Sequence, residues 1–171
     1  QIVGLIGPNG AGKTTLFNCL SRLYAYSDGQ IHFEGQSLDG MTRHKTAEIG
    51  IVRTFQNLAL YKTMSVLDNI KVGSHCRAKK GFLDHALRLP GVSQEEAKIH
   101  HDAMHLIDFL GLQSVAQHKV SDLPFGTQKR VELGRALASQ PKLLLLDEPA
   151  AGLNHEEVHA LGDLIQLIRD E

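Results

Sequence analysis

The chain has 171 residues, of which 42% are hydrophobic and 22% are charged, as in an ordinary soluble domain. Its 18 lysines and arginines nearly balance its 19 aspartates and glutamates, so it lacks the basic excess that is common in nucleic-acid-binding domains, and no nucleic acid is expected as a partner. No apolar run approaches the roughly 18 residues of a membrane-spanning helix, and Cys19 and Cys76 form no CxxC motif, so the sequence predicts one globular domain with reduced thiols.

The first predicted unit is a strand followed by a glycine-rich loop and a helix. Residues 2–6 are read as a buried strand, residues 7–12 as the loop and residues 13–23 as the helix. Turn residues at 27–29 then lead to a short alternating strand around residues 31–33. This order of elements is typical of an α/β domain.

A helical segment interrupts this α/β pattern. After a polar helix over residues 42–48 and a strand over residues 49–55, the region 60–120 shows mostly helical periodicity. Within it, Ser93 opens a predicted capping box at the start of a helix, and Gly111 is placed to end that helix. We therefore expect residues 60–120 to form an inserted helical lobe.

The α/β pattern resumes with a helix over residues 127–139. It leads to a continuous apolar run at 143–146, as expected for a parallel strand that is covered on both faces. Residues 1–59 and 121–171 are therefore predicted to form an α/β catalytic core. Because the chain starts in a strand without a lead-in and ends in an amphipathic helix, we expect a single domain, 1–171, truncated at both ends.

Residues 7–14 match the phosphate-binding pattern G-x-x-x-x-G-K-[ST] in full, between a strand and a helix. Glycines let backbone N–H groups converge on phosphate oxygens, and a helix N-terminus favours anions. Lys13 is expected to reach the β- and γ-phosphates as a catalytic cation, Thr14 to bind Mg²⁺ and Thr15 to bind the α-phosphate. The length of the match argues against an ordinary structural turn. The residues predicted to contact the nucleotide are Gly7, Pro8, Asn9, Gly10, Ala11, Gly12, Lys13, Thr14 and Thr15.

An acidic pair, Asp147 and Glu148, follows the apolar run at residues 143–146. Ligands bind at the carboxyl ends of parallel strands, so Asp147 is expected to hold Mg²⁺, directly or through water. Glu148 is expected to act as general base on the attacking water, a role worth about 10²–10⁴-fold in rate. Such a pair alone is more often solvated surface, but together with the phosphate loop it predicts a catalytic site.

Three further segments resemble those of ABC transporter ATPases. Arg53-Thr54-Phe55-Gln56-Asn57 resembles their Q-loop, residues 123–137 occupy the place of their signature motif and its helix, and residues 151–154 look like their D-loop. The order and spacing of these motifs extend over the whole chain, so the sequence is identified as a member of this family. The resemblance implies an α/β fold: a P-loop NTPase (RecA-like) core with a parallel sheet, a small antiparallel β piece and an inserted helical lobe.

The resemblance also implies how the subunit works. Such subunits pair head to tail around two ATP molecules, so the implied cofactors are ATP and Mg²⁺, and the implied partners are a second ABC ATPase subunit and transmembrane permease subunits. Gln56 is implied to contact Mg²⁺ and the attacking water, although a glutamine at a strand end is often only solvated. The residues implied to contact the partner's ATP are Leu123, Pro124, Phe125, Gly126 and Thr127. Those implied to form the D-loop contact between subunits are Ala151, Gly152, Leu153 and Asn154.

The signature segment departs from the family pattern. Where the family usually has L-S-G-G-Q, this chain has Leu-Pro-Phe-Gly-Thr, and Pro124 has no hydroxyl to offer a γ-phosphate. Proline is tolerated in the first turn of a helix, and the backbone N–H groups of Gly126 and Thr127 stay available, so we expect an altered but working site. A weakened hydrolytic site is the alternative. The family's switch histidine is not found, because His155 and His159 fall on the helix after the D-loop.

The long insertion at residues 71–100 and the segment 147–154 resemble the ATP-binding subunits of branched-chain amino acid importers. The resemblance therefore implies an ATPase that powers uptake of branched-chain amino acids from the cytoplasmic face of the inner membrane, attached through the permease. Alternatives are an ATPase for urea uptake or lipopolysaccharide export, a soluble ABC protein of translation or DNA repair, and a non-hydrolysing cassette. The sequence leaves open the solute and whether two identical cassettes pair.

Overall fold

The computed structural model describes residues 1–54, 58–77 and 92–170, apart from the side chain of Val92. The chain divides into two compact units. The first comprises Gln1–Gln56 and Lys142–Glu171, and the second comprises Asn57–Pro141. The helix predicted at residues 127–139 thus belongs to the second unit, whereas the sequence places it with the catalytic core.

The first unit contains a parallel pair of strands and an antiparallel hairpin. Its elements are α1 (Lys13–Leu20), β1 (His32–Phe33), β2 (Gln36–Ser37), α2 (Arg43–Glu48), β3 (Ile51–Arg53), β4 (Leu143–Leu145) and α6 (His155–Asp170). Strands β3 and β4 are parallel, with Ile51 opposite Leu143 and Arg53 opposite Leu145. Strands β1 and β2 pair antiparallel. The mixed α/β class and the parallel strands agree with the prediction.

The core of the first unit lies between α1 and the parallel strands. Leu38, Ile51 and Leu145 are buried there, and Phe17 and Leu20 of α1 pack against them. Ile51 and Arg53 lie on one face of β3, because side chains alternate along a strand. The same alternation puts Leu145 and Asp147 together, so the face that buries the apolar residues also carries the polar residues at the strand ends.

The segment 2–6 is not the buried strand that its composition predicts. It is irregular, and its apolar side chains are exposed, with Ile6 94% exposed. Among the described residues, no strand pairs with it. A strand is held by hydrogen bonds to a neighbouring strand, so an apolar composition without such a neighbour does not produce one.

Several predicted boundaries shift by a few residues. Helix α1 ends at Leu20 instead of 23, and β3 covers Ile51–Arg53 instead of residues 49–55. The helix predicted at 127–139 begins two residues earlier, at Phe125. The helix expected to open at Ser93 begins at Val92, so Ser93 lies inside the helix and is not its cap. Helix ends depend on local capping bonds, which periodicity locates only within a few residues.

The second unit is helical. It contains α3 (Val66–Gly73), a 3-10 turn (Ser74–Arg77), α4 (Val92–Phe109), two further 3-10 turns (Gln113–Val115 and Val120–Asp122) and α5 (Phe125–Leu137). Helix α3 packs against α4 and α5. The largest fully buried apolar side chains of this unit are Val66, Ile70, Ile107, Leu112, Val120 and Val131. No described helix in either unit is long and apolar enough to cross a membrane.

Gly111 ends α4 as predicted. Its φ is +64°, its N–H donates to Asp108 O at 3.0 Å, and the N–H of Leu112 donates to Ile107 O at 2.9 Å. This pair of bonds is a Schellman motif, which requires a left-handed residue at the position of Gly111. Ile107 and Leu112 are both fully buried, so the motif also fixes an apolar contact.

Two glycines allow the helices of the second unit to approach closely. A β-carbon on Gly73 of α3 would lie 1.9 Å from the Arg135 carbonyl oxygen of α5. One on Gly134 of α5 would lie 2.7 Å from the Leu110 side chain and 3.0 Å from Ile70. The first clash is with backbone, which cannot rotate away, so Gly73 sets the distance between α3 and α5.

We predict that Gly73→Ala destabilises the protein, because the methyl group has no room beside the α5 backbone. The expected loss is about 3 kcal/mol in the free energy of unfolding. Gly162→Ala in α6 is the matched control, since a β-carbon there has no neighbour within 4 Å; it should gain about 0.5–1 kcal/mol from the better helix propensity of alanine. Urea unfolding monitored by circular dichroism measures both, and equal stabilities would contradict the clash.

Candidate functional site

The phosphate loop is shaped by left-handed glycines. Gly10 has φ +84° and Gly12 has φ +83°, and Gly12 is the N-cap of α1. The N–H of Ala11 donates to the Pro8 carbonyl at 3.2 Å, which closes a tight turn inside the loop. A β-carbon on Gly10 or Gly12 would have no neighbour within 4 Å, so glycine is needed here for the backbone angle and not for space.

Lys13 folds back over the loop. Its Nζ donates to the carbonyl oxygens of Gly7, at 2.6 Å, and Pro8, at 2.8 Å. The loop carbonyls therefore hold an ammonium group beside the start of α1, where the first N–H groups have no intrahelical acceptor. The first turn of α1, all of which is described, carries no acidic side chain. This arrangement fits a polyphosphate, whose oxygens provide stronger acceptors for the same ammonium group.

Thr14 and Thr15, the next two residues predicted to contact the nucleotide, lie exposed in the first turn of α1. Their hydroxyls are accessible from solvent, as phosphate or metal binding requires. Gln56, the third predicted magnesium ligand, and its neighbours Phe55 and Asn57 lie outside the described residues.

Asp147 directly follows Leu146 and lies at the carboxyl end of β4, as the sequence predicts. Its Oδ2 accepts a hydrogen bond from Nη2 of Arg53 at 2.6 Å, and the side chains of Asp147 and Arg53 are 11% and 8% exposed. Nη1 of Arg53 donates to Asn18 Oδ1 at 2.6 Å. Arg53 lies in the segment that resembles the Q-loop, and nothing local in the sequence pairs residues 53 and 147, so only the structure reveals this contact.

The oxygen donors at this site suit Mg²⁺, which proteins bind with one or two carboxylates together with substrate phosphates. The carboxylate of Asp147 is a donor of this kind, and the hydroxyl of Thr14 is a further oxygen donor that the sequence predicts as a ligand. Among the described residues, no group of three or more His, Cys, Asp or Glu side chains could hold a metal ion by itself. The described donors therefore fit a magnesium ion that arrives with a nucleotide.

Glu148 is exposed and has φ +46°, a left-handed conformation that is uncommon for a residue with a β-carbon. Its carbonyl accepts a hydrogen bond from Ala151 N at 3.0 Å, which turns the chain after the acidic pair. Strained backbone at a predicted catalytic residue is an observation from which a functional role can be inferred.

The segment Ala151–Asn154 leads into α6. Gly152 has φ +80°, and Asn154 accepts a hydrogen bond from Glu157 N at 2.9 Å while its own N–H donates to Glu157 Oε2 at 3.0 Å. This reciprocal pair is a capping box, and it gives Asn154 a structural role that the sequence analysis missed. The signal was present as an asparagine followed three residues later by a glutamate. His155 and His159 are exposed on α6, as expected.

The predicted signature segment, residues 123–127, begins α5 in the second unit. Leu123 is buried, and its carbonyl accepts a hydrogen bond from Gln128 Nε2 at 2.8 Å. Pro124 is the N-cap and not, as expected, a residue of the first turn; no side chain caps the helix. The N–H groups of Phe125, Gly126 and Thr127 therefore have no intrahelical acceptor, and Phe125 is 44% exposed.

Comparison with known proteins agrees with these motifs. The sequence pattern described as "ABC transporter" matches residues 1–151. The chain is 40% identical to the high-affinity branched-chain amino acid transport ATP-binding protein BraF of Pseudomonas aeruginosa. The match extends over 171 residues, which are all of this chain and 67% of the relative. Over 170 residues, 99% of this chain and 67% of the relative, it is 40% identical to LivG of Escherichia coli, which has the same description.

A solved structure of similar fold is MJ1267, an ATP-binding cassette of an ABC transporter. Its TM-score is 0.79 at 31% sequence identity, with 96% of this chain and 64% of that chain covered. The present chain thus spans less than two thirds of the length of this cassette.

We predict that the Asn154–Glu157 capping box stabilises the turn between the acidic pair and α6. Asn154→Ala should lower the free energy of unfolding by about 1 kcal/mol. Glu157→Ala should cost less, and the double variant should cost clearly less than the sum of the two single variants, because either change removes the reciprocal contact. Urea unfolding measures these values, with the exposed His155→Ala as control. Strict additivity would show that the two side chains do not act together.

Proposed function

The chain belongs to the ABC transporter family, as its motifs predict, and on that premise we propose that it binds and hydrolyses ATP to power an importer of branched-chain amino acids. The observation that carries the proposal is the loop at residues 7–14, which holds the Lys13 ammonium group over its own carbonyls at the start of α1. Such a loop has few uses other than binding the phosphates of a nucleotide.

Phosphate binding begins with an exchange of partners. The Lys13 ammonium group leaves the carbonyls of Gly7 and Pro8 for the β- and γ-phosphate oxygens. The N–H groups at the start of α1 then complete the cradle, and the helix dipole adds favourable potential. Thr14 and Asp147, with Gln56, would hold Mg²⁺, which when bound neutralises part of the phosphate charge.

Hydrolysis needs a base next to the water that attacks the γ-phosphorus. Glu148 suits this role because it directly follows Asp147 and is held in a turned, exposed conformation. Its carboxylate takes a proton from the water while the water oxygen bonds to phosphorus, and the bond to the β-phosphate oxygen breaks to release ADP and phosphate.

A second cassette is the proposed partner at the phosphate site. The uncommitted N–H groups of Phe125, Gly126 and Thr127 form an anion-binding helix end, and they favour a working site despite the proline at position 124. Residues 151–154 would contact the same partner. The similarity to BraF and LivG supports a branched-chain amino acid as the solute, with permease subunits that hold the cassette at the cytoplasmic face of the inner membrane.

We predict that Glu148→Gln in the full-length protein keeps ATP affinity but lowers the rate of phosphate release about 10²–10⁴-fold, because glutamine cannot accept the proton. Phosphate release and binding of a fluorescent ATP analogue measure the two effects separately. Glu156→Gln, at an exposed position on α6, is the matched control and should leave both unchanged. Normal turnover in Glu148→Gln would exclude this residue as the base.

We also predict that Lys13→Ala weakens nucleotide binding about 10- to 100-fold, the value of a lost charge-assisted contact. Lys45→Ala, which removes an exposed lysine from α2, should leave affinity unchanged. Equilibrium titration with the fluorescent analogue compares them. An unaltered dissociation constant in Lys13→Ala would refute phosphate binding by this loop.

A further inference from the structure

Arg53 occupies a position that its motif does not explain. It is the last residue of β3, it pairs across the parallel strands with Leu145, and Asp147 follows Leu145 by two residues. Side chains two apart on a strand share a face, so Arg53 and Asp147 lie on the same face of the sheet. That face is covered by α1, the helix that begins directly after the phosphate loop.

Helix α1 orients the guanidinium group of Arg53. Nη1 donates to Asn18 Oδ1 at 2.6 Å and to Ser21 Oγ at 3.4 Å, and the guanidinium carbon lies 5.6 Å from the centre of the Phe17 ring. The other amino group, Nη2, donates to Asp147 Oδ2 at 2.6 Å. A planar group held by two residues of α1 and by Ser21, which caps the end of that helix, has little freedom to rotate, so α1 and its C-cap set the direction of the bond to Asp147.

The contact with Arg53 occupies one of the two carboxylate oxygens of Asp147. Oδ2 accepts the bond from Arg53, and within the described part of the chain Asp147 makes no other hydrogen bond or ion pair. Both side chains are nearly buried. If Asp147 rotated away from Arg53, two buried charges would lose their partners, which costs considerable free energy. Arg53 therefore holds Asp147 in one orientation, with Oδ1 available to a further ligand.

We propose that Arg53 is a positioning residue for the magnesium ion that accompanies the nucleotide, acting by fixing the orientation of Asp147. The inference rests on the proposed function, because it requires a nucleotide site at the phosphate loop. Residues that orient metal ligands from outside the coordination sphere contribute about 10- to 100-fold to metal affinity. A substitution of Arg53 should therefore lower the magnesium-dependent part of nucleotide affinity. The magnesium-independent part, which the loop provides, should stay unchanged.

The test is a titration of the full-length protein with a fluorescent ATP analogue, once with magnesium and once with EDTA. The ratio of the two dissociation constants measures how much magnesium increases nucleotide affinity, and this increase is the magnesium gain. Arg53→Lys keeps the charge but loses the planar fork, so the gain should fall about tenfold while affinity in EDTA stays within about twofold. Asn18→Ala, which frees one side of the guanidinium group, should lower the gain less.

Asp147→Asn should also lower the gain, and adding Arg53→Lys to it should lower the gain no further, since Arg53 acts through Asp147. Arg169→Lys is the matched control, because Arg169 pairs with Asp170 on the exposed surface of α6. It should leave both dissociation constants unchanged. Thermal unfolding of each variant verifies that it is folded.

Three outcomes would overturn the proposal. An unchanged or larger magnesium gain in folded Arg53→Lys would show that Arg53 does not position the metal ligand. An equal loss of affinity with magnesium and with EDTA would assign Arg53 to the shape of the loop instead. If the parent protein binds no nucleotide in either medium, the proposed function itself fails, a result distinct from the first two.

Discussion

The buried pair of Arg53 and Asp147 joins three elements of the first unit. Arg53 ends β3, Asp147 lies beyond the end of β4, and Asn18 of α1 holds the second amino group of Arg53. Removing two charges from water is costly, and their mutual attraction offsets the cost only when the geometry is good. The three elements must therefore keep their places for the pair to remain, and the phosphate loop, which is continuous with α1, is placed by the same constraint.

Apolar packing makes this geometry possible. Ile51 and Leu145 lie on the two parallel strands, each two residues before a charged residue of the pair. Phe17 and Leu20 of α1 pack against them. The same helix thus contributes apolar side chains to the core and polar ones to the ion pair. A site for a charged ligand is in this way built on the edge of a buried apolar surface, where the surroundings keep charged side chains from moving freely.

In the second unit, the close approach of the helices is the main constraint on the packing. Gly73 lets α3 reach the backbone of α5, and Gly134 leaves room for Ile70 and Leu110. These contacts hold the C-terminal part of α5, while its first turn keeps N–H groups that have no intrahelical acceptor. A rigid helix with an open N-terminus is suited to hold an anion, as the proposed pairing of two cassettes requires.

Several features decided within a few residues were predicted correctly from the sequence, although the capping box at Ser93 was wrong and the one at Asn154 was missed. The loop before α1, the end of α4 at Gly111, the apolar strand before Asp147 and the family are of this kind. They depend on local backbone angles, on periodicity or on motif spacing, all of which are visible in one dimension. Features that need a distant partner were not predicted from the sequence. Residues 2–6 have the composition of a strand but no described neighbour to pair with, and Arg53 meets a carboxylate 94 positions further along the chain. Hydrogen bonds and ion pairs act over a few ångströms in space, so only the folded chain decides which distant residues form them.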